Sequence, residues 1–97
     1  MAVIETMTFT LLPDADVDAF LAADRRLQVE FAYQQPGLVR RTTARNSDGG
    51  WIVIDLWESA ADVEAMGARW DADPLAAAFM DLVDADSVQV HRYETLD

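Results

Sequence analysis

The chain has 97 residues, a formal net charge of −11 and no cysteine. The missing thiols exclude disulfides, thiolate nucleophiles and zinc–thiolate sites. The negative charge argues against nucleic acid and against anionic membranes, because both are bound through clustered lysine and arginine side chains.

Composition and sorting signals narrow the class of protein further. The residues are 52% hydrophobic and 26% charged, which predicts one ordered globular domain over residues 1–97. Residues 1–12 show no secretory signal, and no stretch approaches the ~20 apolar residues of a membrane span. We therefore expect a cytoplasmic protein without a membrane partner.

The first part of the chain predicts a strand followed by a helix. Val3 to Leu11 alternates between two faces, as a strand does, and Pro13 ends it. The segment from about Ala15 to Gln34 carries apolar residues at helical spacing. The sequence "QQPG" ends this helix, because Pro36 disfavours helical geometry in the residue before it.

The next segment predicts a hairpin. Leu38 to Asn46 forms one strand, "GWIVIDLWE" at 50–58 forms the other, and "SDGG" between them is a strong turn signal. With Asp48-Gly49 as a two-residue turn, Arg40 is placed opposite Trp57. This register predicts that four residues share one face: Arg40, Thr42, Asp55 and Trp57.

The last part predicts two helices and a strand. Ser59-Ala-Ala-Asp62 has the form of a capping box at a helix start. Asp73-Pro74 begins another helix, with Asp as the cap and Pro at the first helical position. Ser87 to Thr95 alternates and predicts the last strand.

The order of elements predicts a fold. Strand, helix, hairpin, helix pair and strand give an α+β, ferredoxin-like split βαβ arrangement: a four-stranded antiparallel sheet with helices on one face. The strand at 50–58 is apolar on both faces, and the helices cover only one of them. We expect a second copy of the chain to cover the other in a twofold homodimer.

The element order, "QQPGLVRRT" and "IVIDLWESAADVEAM" together resemble the dimeric α/β-barrel superfamily, in particular its antibiotic-biosynthesis-monooxygenase-like group. The resemblance implies a barrel across the dimer interface and a ligand pocket in each subunit between sheet and helices. It also implies cofactor-independent oxidation of polyketide phenols to quinones.

The resemblance further implies particular site residues. A Trp at the end of the third strand is matched by Trp57. An Asn is implied on the first strand, where this chain has Met7; its only asparagine is Asn46. The haem-degrading branch carries an axial histidine on the last helix, and residues 73–84 contain none, so no haem is expected.

Three candidate groups have both a chemical and a structural interpretation. Asp24 lies within an apolar helix stripe, and is either a general acid or base with a tuned pKa or the partner of an arginine or tyrosine. Arg40 beside Asp55 and Trp57 either holds an anionic or phenolic ligand or forms a structural ion pair. His91, beside Tyr93, is either a proton shuttle or a hydrogen-bonded structural residue.

These interpretations combine into one hypothesis. We expect a pocket in which Trp57, Asp24 and His91 are catalytic and substrate is bound by Met7, Gln28, Arg40, Asp55 and Tyr93. The single histidine and scattered aspartates predict no metal site. The expected function is cofactor-free oxygenation of a phenolic or polyketide-like aromatic. The alternatives are a non-catalytic metabolite-binding dimer and a proton-transfer isomerase or cyclase.

Overall fold

The computed structural model describes residues 1–96, and it has the expected ferredoxin-like α+β fold. Four strands form one antiparallel sheet in the order β2-β3-β1-β4. Single 3-10 turns lie at Ala32–Gln34 and Ala85–Ser87. The main elements, in chain order, are β1 (Val3–Thr10), α1 (Val17–Glu30), β2 (Leu38–Arg45), β3 (Gly50–Trp57), α2 (Ala60–Trp70), α3 (Pro74–Met80) and β4 (Gln89–Glu94).

The helices begin at the residues whose side chains can cap them. Ser59 accepts a hydrogen bond from the Asp62 backbone N–H, which confirms the predicted cap of α2. Asp73 accepts from the first backbone N–H groups of α3, with Pro74 in the first position. These bonds satisfy donors that have no partner within the helix.

Helix α1 is shorter than the sequence predicts. It ends at Glu30, because Phe31 leaves helical geometry with φ −121° and ψ −63°. The Phe31 ring is buried and packs edge-to-face on Trp70, with 5.9 Å between ring centroids. Tertiary packing thus replaces the last helical turns with a 3-10 turn.

The predicted register of the hairpin is wrong by one residue. Asn46 pairs with Gly50 through its backbone, and its side-chain oxygen accepts from the N–H groups of Asp48 and Gly50. The loop therefore has three residues, with Gly49 at φ +85°, a geometry that such loops favour. As a consequence Arg41, and not Thr42, lies opposite Asp55.

The helix-facing side of the sheet forms the core. Trp51, Val53 and Trp57 of β3 are buried on this side. Phe20 of α1 and Phe79 of α3 are fully buried, and the Phe20 ring packs edge-to-face on Trp51 with 4.8 Å between ring centroids. Replacing either phenylalanine with alanine would cost about 3–5 kcal/mol, because the neighbours cannot close the space left behind.

The other side of the sheet carries no helix from the described part of the chain. Ile52, Ile54 and Leu56 of β3 face this side, together with Tyr93 of β4. The side chains of Ile54 and Tyr93 are 39% and 56% exposed. The expectation that the helices cover only one face is confirmed. Every helix within residues 1–96 falls short of the length and hydrophobicity that a bilayer crossing needs.

Candidate active site

A cavity of about 400 Å³ lies between the helix-facing side of the sheet and α2. Its volume falls within the range of roughly 300–1,000 Å³ that is common for small-molecule sites. One part of its wall is apolar: Met7, Val53, Val63, Met66, Trp70 and Val90. The other part is charged and is formed by Glu5, Arg41, Asp55, Glu64, Asp71 and Arg92. Gly67 of α2 also lines the cavity, between Glu64 and Asp71 in the sequence.

Asp55 is the buried carboxylate of this cavity. Strand alternation turns it towards the helices with Trp57 and Val53, and the hairpin register places Arg41 beside it. The distance from Arg41 Nε to Asp55 Oδ1 is 3.9 Å, an ion pair without a hydrogen bond. Asp55 Oδ1 is buried and has no hydrogen-bond partner among residues 1–96. It is therefore free to accept a proton from a ligand.

Arg41 is held by other partners, on α1 and on its own strand. Its Nη2 donates to Asp24 Oδ1 at 2.8 Å, and its Nη1 donates to Gln28 Oε1 and Thr43 Oγ1, both at 3.2 Å. The Thr43 hydroxyl in turn donates to Asp24 at 3.0 Å. The Arg41 side chain is only 4% exposed. The guanidinium charge is therefore shared between Asp24, its nearer partner, and Asp55.

The environment of Asp55 favours its protonated form. Burial raises the pKa of Asp55 from 3.8 to about 6, because the cavity wall solvates a charged carboxylate poorly. The Arg41 guanidinium opposes this shift, while the carboxylates of Glu5 and Asp24 add to it. Glu5 lies directly opposite Asp55 in the β1–β3 pairing. A carboxyl group with such a pKa changes protonation state near neutral pH.

Arg92 lies at the more exposed side of the cavity. Its Nη2 is 3.5 Å from Glu5 Oε2 and its Nη1 is 3.9 Å from Glu64 Oε1. The Arg92 side chain is 42% exposed and that of Glu64 is 74% exposed. Arg92 thus links the edge strand to α2, and both of its contacts are with carboxylates of the cavity wall.

The structure brings together some of the predicted site residues. Met7 and Asp55 line the cavity. Asp24 and Gln28 lie behind Arg41 and contact it, so the structural interpretation of Asp24 as an arginine partner is what we observe. Trp57, 1% exposed, packs with Val3 and Val63, one layer behind the cavity wall.

Three predicted pocket residues lie on the opposite face of the sheet, and their predicted placement is wrong. His91 and Tyr93 pair with Thr6 and Ile4 of β1, which face away from the helices. Arg40 pairs with Leu56 on that same face, because the hairpin loop has one residue more than predicted. Strand alternation then places their neighbours Arg41 and Arg92 in the cavity.

Sequence reasoning missed the residues that complete the site. Arg41 would have been found by assigning "SDG" at 47–49 to a three-residue loop. Arg92 follows from the same alternation that excludes His91. Trp70 supplies the flat aromatic wall that had been expected from Trp57. Its helical spacing from Val63 and Met66, which also line the cavity, is the signal that could have found it.

Within residues 1–96 no three His, Asp or Glu side chains are placed together as ligands would be.

Comparison with known proteins supports the fold. No protein-family model and no curated protein matches the chain. Among solved structures, SnoaB, a cofactor-independent oxygenase from Streptomyces nogalater, is similar with a TM-score of 0.81 and 22% identity over 99% of this chain and 94% of that one. An antibiotic biosynthesis monooxygenase gives a TM-score of 0.77 and 18% identity, covering 98% and 99% of the two chains.

A third solved structure extends the likeness to another organism. Rv0793 from Mycobacterium tuberculosis is similar with a TM-score of 0.72 and 16% identity, covering 100% of this chain and 97% of that one. The class defined by these likenesses is the ferredoxin-like α+β fold. Within that class, the chain has the fold of the antibiotic-biosynthesis-monooxygenase-like proteins, so the resemblance drawn from the sequence is confirmed at the level of fold.

Proposed function

We propose that this protein is a small-molecule enzyme that removes a proton from a phenolic or anthrone-like aromatic, so that molecular oxygen can react with the resulting anion. The observation that carries the proposal is Asp55. It lines a ligand-sized cavity, its Oδ1 is buried without a hydrogen-bond partner among residues 1–96, and its pKa is raised to about 6. A base whose pKa lies near the working pH is both ionised and able to hold a proton.

The reaction needs only a base and oxygen. Removal of a proton from an anthrone gives an electron-rich anion, which adds molecular oxygen and a proton to form a hydroperoxide. The hydroperoxide then loses water to give the quinone. One oxygen atom enters the product and the other leaves as water, so oxygen is the oxidant and the organic ring is oxidised. The proton taken up by Asp55 is returned during these steps.

Other features of the cavity support an aromatic ligand. Met7, Met66 and Trp70 offer polarisable and flat surfaces, against which aromatic rings pack well. The likeness to SnoaB, which is described as a cofactor-independent oxygenase, supports the type of chemistry.

In this proposal two predicted catalytic residues have indirect roles. Asp24 positions Arg41 and so tunes Asp55, because the Asp24 carboxylate is engaged by Arg41 and Thr43. Trp57 packs against Val63, a residue of the cavity wall, on the side away from the cavity. The base is Asp55 rather than His91, which lies on the far face of the sheet.

Oxygen uptake with anthrone as substrate tests the proposal. We expect uptake by the wild type, and a loss of kcat/KM of roughly 10²–10⁴-fold in Asp55→Asn, since the variant keeps the shape but not the base. Asp48→Asn in the exposed hairpin loop is the matched control and is expected to react like the wild type. Wild-type conversion without oxygen uptake would instead indicate an isomerase or cyclase. Binding without any conversion would indicate a metabolite-binding protein.

We also propose that two copies pair through the side of the sheet that carries Ile52, Ile54 and Leu56. This side is apolar on its central strand and uncovered by the helices of residues 1–96. Such a patch on a small domain commonly marks an interface.

A further inference from the structure

Gly67 occupies a position in α2 that its backbone does not explain. It lies in the interior of the helix, where glycine is among the least favourable residues and alanine the most favourable. The glycines with positive φ are Gly37 and Gly49, so Gly67 is not needed for a left-handed conformation. A Cβ built on Gly67 meets no heavy atom within 4 Å beyond its immediate surroundings in the helix. Neither backbone geometry nor close packing therefore requires a glycine here.

The empty space beside Gly67 belongs to the cavity. Gly67 lines it, between Glu64 one turn before and Asp71 one turn after on the same helix face. A side chain at this position would project into the volume that a ligand needs. Glycine is the residue that allows a ligand to approach a backbone closely.

The charges around Gly67 restrict the ligand further. The cavity wall holds four carboxylic acids and two arginines. Both arginines already contact carboxylates: Arg41 contacts Asp24 and Asp55, and Arg92 contacts Glu5 and Glu64. An anionic ligand would have to displace one of these acids and pass the exposed Glu64 and Asp71. Like charges in that position oppose its binding.

We propose that Gly67 is a specificity-determining residue: it leaves the α2 side of the cavity bare, so that an uncharged, flat aromatic ligand lies against the helix backbone. Glu64 and Asp71 on either side exclude ligands with a carboxylate or phosphate at that edge. The proposal rests on the function proposed above, since it assumes that the cavity holds the substrate.

The role proposed for Gly67 can be tested by measuring the binding of a stable quinone, which the enzyme does not convert. 1,8-Dihydroxyanthraquinone, whose hydroxyls stay protonated at neutral pH, is titrated into the wild type, Gly67→Ala and Gly67→Leu, and Kd is measured by calorimetry. We expect Kd to rise roughly 10-fold in Gly67→Ala and more in Gly67→Leu, as added groups compete with the ligand for space. Gly67→Ala should also raise Tm by about 4–8 °C, since alanine favours the helix. Weaker binding by a more stable protein cannot be ascribed to unfolding.

A matched control and a charged ligand complete the test. Ala65→Gly, at an exposed site of the same helix, is expected to lower Tm and leave Kd unchanged. The monocarboxylic acid of the same quinone should bind the wild type at least roughly 10-fold more weakly, and Glu64→Gln should narrow that gap.

Three outcomes would overturn the inference. Equal Kd values in the wild type and Gly67→Ala would show that Gly67 does not contact the ligand. Tighter binding of the carboxylated quinone, abolished by Arg92→Gln, would show that the cavity selects anions through Arg92. In either case anthrone turnover by the wild type would leave the proposed function standing. Failure of the wild type to bind the quinone or oxidise anthrone would remove both.

Discussion

Asp55 keeps its carboxylate in surroundings that disfavour its charge. Its side chain is 15% exposed and its ion pair with Arg41 is 3.9 Å long, so it gains little to offset the lost hydration. The sequence places this carboxylate between Trp51 and Trp57, on the same face of one strand. Which arginine it meets was not visible in the sequence, because that depends on the loop that joins β2 to β3.

The stability of the protein should reveal the raised pKa of Asp55. Between pH of about 3.8 and about 6 the folded protein binds more protons at this group than the unfolded chain does, so the free energy of unfolding falls as pH rises. The full effect of a shift of this size is on the order of 3 kcal/mol. Asp55→Asn should therefore unfold at higher denaturant concentration than the wild type at pH 7, and at a similar concentration near pH 4.

Chemical denaturation across this pH range measures the effect. Asp48→Asn, which changes an exposed carboxylate, is the control and should follow the wild-type curve. The prediction would be contradicted if the stability of the wild type and that of Asp55→Asn changed by the same amount between pH 4 and pH 7.

Helix α1 acts on the cavity through one buried ion pair. Asp24 and Arg41 are 14% and 4% exposed, and the pair holds the guanidinium away from Asp55. The sequence predicted that Asp24 needs a partner, because an unpaired carboxylate in an apolar stripe is costly. It did not identify Arg41, since α1 and β2 meet only in the folded chain.

Asp24→Asn should lower the pKa of Asp55. Without the Asp24 carboxylate, Arg41 is less neutralised and one repulsive charge is lost, and both changes favour ionised Asp55. The unfolding free energy should also fall by about 3 kcal/mol, because a buried charge loses its partner. Carbon NMR titration of the Asp55 carboxyl measures the pKa directly, and the acid limb of the activity profile should move to lower pH with it.

The control for this experiment is an exposed ion pair on the same helix. Glu30→Gln breaks the contact of Glu30 with Arg26, whose Nε–Oε2 distance is 2.9 Å and whose side chains are at least half exposed. We expect neither the stability nor the pKa of Asp55 to change appreciably, since exposed ion pairs of this kind contribute little to stability. An unchanged or higher pKa of Asp55 in Asp24→Asn would contradict the role given to Asp24.

At the scale of the whole molecule, the sequence predicted the architecture and the uncovered face. Two crossovers around one hairpin allow few arrangements, and the apolar residues on both sides of β3 exceed what the helices can cover. The positions of His91 and Tyr93 were not predicted correctly, because the strand register of β4 against β1 is set by partners distant in sequence. Because side chains alternate between the two faces along a strand, the register decides on which face of the sheet each of these residues lies.

Ile54→Arg should convert the proposed dimer into single subunits. Ile54 is 39% exposed at the centre of the uncovered face, where a buried guanidinium would lack a partner. Sedimentation at micromolar concentration is expected to give a dimer for the wild type and a folded monomer for the variant. Val29→Arg, at a 57% exposed position on α1, should sediment like the wild type. A folded wild-type monomer at this concentration would rule out the dimer.

Strand β2 has a built-in redundancy next to the cavity. Its sequence places two arginines and then two threonines in succession, Arg40-Arg41 and Thr42-Thr43. If the loop at 47–49 lost one residue and the strand slid accordingly, Arg40 and Thr42 would replace Arg41 and Thr43 on the helix-facing side. The carboxylates of Asp24 and Asp55 would still meet a guanidinium and a hydroxyl. The chemistry of this wall is thus buffered against the loss of one residue from the hairpin loop, the part of the chain where length changes are most easily tolerated.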